Sequence, residues 1–179
     1  VPDGLPRHLV YGPADMRLTD KAYGPMGQTA TIDGTATFSF TTRMRDTYRS
    51  ASRFSRVTLL TKSPVEARIT VAGDTLTMDE SQNGAGIYFY TARLNTSRTT
   101  VTLTVEGQTD IYGILLDGTN GVAVDNIPMR GCSGTIFTSI SQTTLAPFYR
   151  RENVRFIILQ YGGNSVPYLK NDKGIASYT

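Results

Sequence analysis

The sequence predicts a β-sandwich of jelly-roll type followed by part of an α/β domain, and three observations carry that expectation. Over residues 1–118 apolar positions alternate with threonine-rich ones at a period of two, cut by regular turn signals. From residue 119 the alternation gives way to an order of strand, loop, helix and strand. Within that part, Val154, Phe156, Ile157, Ile158, Leu159 and Tyr161 form a nearly unbroken apolar run that ends at Gly162-Gly163-Asn164. A run of this kind is the habit of a strand covered on both faces, as in a parallel sheet.

Residues 1–20 carry Pro2, Gly4, Pro6, Gly12 and Pro13 and read as loop with one short strand over 8–11. Next, Ala30, Ile32, Ala36, Phe38 and Phe40 share one parity against Thr29, Thr31, Asp33, Thr35, Thr37 and Ser39. That pattern predicts a half-buried antiparallel strand pair turned near Asp33-Gly34. The same grammar recurs at 57–60, 65–71, 76–78, 87–90, 101–105 and 111–116. Turns are expected at Lys62-Ser63-Pro64, Gly73-Asp74, Gln82-Asn83-Gly84 and Glu106-Gly107.

After residue 118, Val122, Ala123, Val124 and Ile127 suggest a short strand, and 128–134 a glycine-containing loop. Residues 138–152 look helical, with Ile140, Leu145 and Phe148 near one face and Pro147 arguing for a kink or early stop. The apolar run is the next strand, and 166–179 should lead into another helix. This makes a βαβ crossover, expected to be right-handed with parallel strands. Two such strands cannot cover both faces of a sheet, so the remaining strands are expected from further sequence or a companion chain, with an open edge at 122–127 or 154–160.

Bulk properties narrow the function classes. A chain of 179 residues can bury a real core, and its formal charge of +3 with a pI near 9.1 is only mildly basic. Arg43, Arg45, Arg49, Arg53 and Arg56 cluster, with Tyr48 and Phe54 the sole aromatics among them, which reads as a solvated face and not as a nucleic-acid surface. An acidic glycan or cell-wall polymer suits the charge equally well. The single cysteine, Cys132, excludes an internal disulfide and a cysteine-rich metal site. No stretch approaches the roughly 18 apolar residues of a membrane span. The one histidine, His8, lies in a proline-rich stretch and reads as a surface residue.

Both crossover strands should end at one edge, so the loops 129–134 and 161–165 are expected to face each other. Glycine lets a backbone N–H approach a substrate oxygen, and an asparagine amide can donate to the same atom. Such a pair would make an oxyanion hole. From spacing alone, two glycine turns and a satisfied loop asparagine is the favoured reading.

The run VDNIPMRGCSG, followed about 30 residues later by IILQYGGN, resembles blocks II and III of the SGNH (GDSL-type) serine esterases. More closely, the chain resembles the middle of a bacterial carbohydrate O-acetylesterase subgroup with a β-sandwich inserted into the SGNH domain. The resemblance implies that Gly131 and Asn164 are oxyanion donors, with Gly162 the first glycine of the block III loop; Ser165 stands where the family has Asp. It implies a division into a sandwich over 1–118, similar to a carbohydrate-binding module, and a partial SGNH α/β hydrolase domain over 119–179. It further implies acyl, most simply acetyl, esters on a polysaccharide or peptidoglycan as substrate, no cofactor, and a secreted or periplasmic location.

The family's Gly-Asp-Ser and Asp-x-x-His blocks are not in these residues, so the nucleophile and base are expected from missing SGNH segments. The alternative is a non-catalytic carbohydrate-binding sandwich, for which Tyr23, Tyr48, Tyr88 and Tyr90 are stacking candidates, Tyr88 and Tyr90 foremost. A third reading makes Ser133 or Cys132 a nucleophile, but Gly131-Cys132-Ser133-Gly134 misses the G-x-S-x-G spacing and lacks a base.

Overall fold

The computed structural model describes residues 10–11, 23–42, 52–82, 86–127, 134–163, 166–170 and 172–178. Among the described residues eight strands form one antiparallel, nearly closed sheet with the layout of a β-sandwich: β1 (Val10–Tyr11), β2 (Thr29–Thr41), β3 (Phe54–Thr61), β4 (Glu66–Val71), β5 (Asp74–Thr77), β6 (Asp79–Gln82), β7 (Tyr88–Arg98) and β8 (Thr100–Asp117). A short 3-10 turn (Thr135–Ser139) precedes helix α1 (Gln142–Arg151), and a second (Val166–Tyr168) precedes α2 (Asp172–Tyr178).

β8 organises the sheet. It pairs with β2 along one side; on its other side residues 102–106 pair with β4 and 111–117 with β3. The sheet order runs β1-β2-β8-β3-β7-β6, with β5 attached through β4. Two halves of the sheet thus share β8 and fold over a core built from Phe38, Leu59, Ile69, Tyr90 and Leu103, among others.

Two turns expected from glycine are absent, and the reason is geometric. Gly34 (φ 93°) and Gly107 (φ 144°) sit directly opposite each other in the β2–β8 ladder. Both occupy backbone conformations that side chains resist, so the two strands bend together and neither reverses. What reads as a strand pair at 29–40 is one strand of 13 residues, and the segments at 101–105 and 111–116 are one strand of 18. Where a hairpin does form, at Ala72-Gly73 between β4 and β5, both residues have positive φ (53° and 93°), as a two-residue turn of type I′ requires. The expected turn at 82–84 falls mainly outside the described residues.

β8 also changes parity. Val101, Leu103, Val105 and Ile111 face the inner core, whereas further on it is Ile114 and Leu116 that pack against it. A register shift explains the switch: Leu60 pairs with Gly113 but Thr61 with Ile111, leaving Tyr112 as the extra residue of a bulge. Tyr112 and Leu115 therefore reach the outer face, where they join Leu60, Ile87 and Phe89 under Phe148 of α1. The outward threonines pair across strands, as Thr37–Thr104 (3.4 Å), Ser39–Thr102 (3.1 Å) and Thr41–Thr100 (3.3 Å).

The C-terminal part departs from expectation. α1 is shorter than 138–152 and runs on through Pro147, whose ring is buried; tertiary packing offsets the roughly 3 kcal/mol that an interior proline costs. Ser141 caps it, accepting from the Thr143 N–H. The two expected parallel strands are not formed: residues 122–127 and 154–160 have no strand pairing. No neighbouring strand offers them backbone partners, and their side chains stand in solvent.

Candidate functional site

The two loops that the sequence places opposite each other do meet at their described ends. Gly134 adopts a left-handed conformation (φ 87°, ψ −28°), and a Cβ there would lie 2.9 Å from Tyr161 Cβ. The Tyr161 ring stands edge-on to Phe137, centroids 5.7 Å apart. Glycine at 134 is thus required twice, by its backbone and by the close approach. Gly162 is also in positive φ (109°), and its carbonyl accepts from Val166 N–H at 3.3 Å. Gly131, Cys132, Ser133, Asn164 and Ser165 lie outside the described residues, as does His8.

Of the tyrosines proposed for sugar stacking, Tyr23 and Tyr90 are buried. Tyr90 is 2% exposed, so its ring face is not open to a ligand. Its hydroxyl accepts from Val65 N–H at 2.9 Å and donates to Glu80 Oε2 at 3.1 Å. It thereby ties the residue just before β4 to β6, two strands that do not pair with each other, and burial raises its pKa. Tyr88, two residues earlier on the same face, is half-buried against the inner core. Tyr23 is likewise buried, and Tyr48 lies outside the described residues. Tyr90→Phe should cost about 1–2 kcal/mol in chemical denaturation, because it leaves the Val65 N–H unpaired. Full retention of stability would show that water replaces the hydroxyl.

Above Tyr90 the seam opens into a cleft of about 250 Å³. It is lined where the chain passes from β5 through Met78 to β6, beside the first residues of β4. Ala67, Met78 and Tyr90 lie beneath it, while Glu66, Arg68, Thr77 and Glu80 are exposed around it.

A charged network escaped the sequence reading. Arg56 on β3 donates to Asp117 Oδ2 at 3.0 Å and to Glu152 Oε2 at 3.2 Å, joining the end of α1 to the sandwich. Next to it, Arg151 lies 4.5 Å over the Phe89 ring and donates to Ser81 Oγ and, at 2.8 Å, to Thr91 Oγ1. Glu152 is held above its ordinary pKa of 4.5, first by burial and then by Asp117, against the opposing pull of Arg56. The folded state therefore binds its proton more tightly than the unfolded state does, so this contribution strengthens as pH falls through the window above 4.5. Relative to Glu152→Gln, the native protein should gain stability between pH 7 and about pH 4 in urea titrations. An unchanged difference would show that Glu152 titrates as it does in the unfolded chain.

Among the described residues no group of three or more His, Cys, Asp or Glu side chains could hold a metal ion, and no helix is long and apolar enough to cross a membrane. The chain matches no protein-family profile, no curated protein and no solved structure.

Proposed function

We propose that this chain supplies the oxyanion-hole loops of an SGNH-type serine esterase that removes acyl, most simply acetyl, groups from a carbohydrate polymer or peptidoglycan. The observation that carries the reading is the state of the apolar run. Phe156 (80%), Ile157 (52%), Ile158 (77%) and Leu159 (67%) are exposed at consecutive positions, hence on both faces of an extended segment. Val122 and Val124 are exposed as well. Such segments are stable when flanked by other strands and covered by helices on both sides, the environment of a parallel α/β sheet.

The loop ends converge at Gly134 and Tyr161, which supports an active-site crevice between them. Gly131 N–H and the Asn164 amide would then stabilise the tetrahedral oxyanion, while the nucleophilic serine and its Asp-x-x-His base come from the segments that complete the sheet. Substrates of this kind lie outside the cytoplasm, so the proposed location is secreted or periplasmic.

The test is hydrolysis of 4-nitrophenyl acetate, and acetate release from acetylated xylan and peptidoglycan, by these residues joined to the proposed serine and Asp-x-x-His segments. Turnover with covalent labelling by a serine-directed fluorophosphonate supports the reading. The absence of both turnover and labelling would overturn it.

A further inference from the structure

We infer that the outer edge of β2 pairs with the same edge of a second copy of this chain, in an antiparallel ladder centred on Phe38 that carries the sheet across a two-fold axis. The inference concerns the sandwich alone and does not rest on the esterase reading.

The edge comes first. β2 pairs with β8 from Ala30 to Thr41, but on its other side it meets β1 only at Thr29 and Ala30. Among the described residues no strand pairs that side from Thr31 onward. Such an edge holds a row of backbone donors and acceptors ready for another strand. Two further edges are open in the same sense, those of β5 and β6, but each strand has only four residues and both carry acids, Asp74 on β5 and Asp79 and Glu80 on β6. Pairing either with itself would bring like charges together. Residues 34–42, by contrast, carry no charge at all.

The strand sets its own register. It bends at Gly34 and ends at Thr41, so the regular stretch is 35–41 and its midpoint is Phe38. A two-fold axis there puts Thr35 opposite the partner's Thr41, Ala36 opposite the partner's Phe40 and Thr37 opposite the partner's Ser39. Directly opposed residues of an antiparallel pair point to one face, so the inner faces of the two copies join, and so do the outer ones. On the inner face Phe40 and Ala36, each only partly buried at the rim of the core, meet across the axis as a large residue against a small one. On the outer face the new hydroxyl pairs continue those that β2 already makes with β8, Thr37–Thr104 at 3.4 Å and Ser39–Thr102 at 3.1 Å. A slip of one residue would set Phe40 against Thr37 and break both faces. Because one edge meets its own copy, the assembly closes at two. A single short ladder is a small interface, so the dimer is a weak one, with Kd on the order of 10–100 µM.

The experiment is sedimentation velocity of the chain from about 1 to 500 µM, which should show monomer passing into dimer. Amide hydrogen exchange within 35–41 should slow over the same range, since those groups enter the new ladder. Thr37→Lys with Ser39→Lys sets lysine opposite lysine on both sides of the axis and should weaken association at least about tenfold. Thr37→Lys with Ser39→Glu changes the same exposed positions but sets lysine opposite glutamate, and should bring Kd back to within about threefold of the native value. Circular dichroism of both variants checks that the sandwich is folded. A monomer throughout the range, an assembly larger than two, a dimer that the lysine pair leaves intact, or a lysine–glutamate variant that associates no better than the lysine pair would overturn the inference. Esterase activity plays no part in this readout, so failure here leaves the proposed function standing, and the reverse.

Discussion

On the proposed esterase reading, Asn164→Ala is expected to lower kcat for acetyl-ester hydrolysis by about 10²–10³-fold, with KM changed by less than about threefold. The split follows from when the interaction is made. As an oxyanion donor the amide would meet charge that develops on the carbonyl oxygen only in the transition state, so the ground-state complex would lose little when it is removed. Ser133→Ala belongs beside it. If the nucleophile comes from another segment, that substitution leaves turnover within about twofold, because the neighbouring Gly131 N–H is still present. A collapse of activity with Ser133→Ala, and none with Asn164→Ala, would move the catalytic centre to the loop before Gly134 and discard the oxyanion assignment.

Phe89→Ala should be among the most damaging changes to stability, costing about 3–5 kcal/mol in urea or guanidinium unfolding. Phe89 is fully buried on the outer face of β7, and three kinds of contact converge on it. It packs with Leu60, Ile87, Tyr112 and Leu115 of the sandwich, it meets Phe148 of α1, and its ring face carries Arg151. Truncation would open a cavity and remove the platform under the guanidinium together. Phe148→Ala, at the other side of the same cluster, should cost less than the sum predicts when combined with Phe89→Ala, because the two residues share one packing unit. Additive losses would mean that α1 sits on the sandwich independently of this cluster.

The strands of the sandwich were legible because exposure alternates along them. Threonine on one parity of β2 and Ile32, Phe38 and Phe40 on the other mark a face toward water and a face toward a core. The bends were not legible, since glycine at 34 and at 107 reads locally as a turn and only their mutual opposition across the ladder shows otherwise. Nor was the second core. Val57 to Thr61 are buried without interruption, which follows from α1 lying on the far face of β3, a contact that no local pattern announces.

At the candidate sites the division is similar. Gly134 and Tyr161 approach although the two parallel strands from which that meeting was expected are not formed, whereas Tyr88 packs against the core and Tyr90 ties the seam. The Arg56–Glu152 pair spans 96 positions, a separation at which charge pattern carries no signal. The apolar run at 154–159 reads as a covered strand and is not one here, because periodicity reports what a segment needs and not which neighbours it has.

The central place of β8 has a consequence for how the protein is made. β2 is finished at residue 41 and β4 at residue 71, yet both depend on a strand that begins at residue 100. At ordinary translation speeds of about 5–20 residues per second, β2 waits roughly 3–12 seconds for its partner to be synthesised. Throughout that interval the nascent chain presents a 13-residue edge rich in threonine and phenylalanine with no ladder to close it. The ribosome, by setting the length of that delay, governs how long this protein is open to pairing with the wrong neighbour.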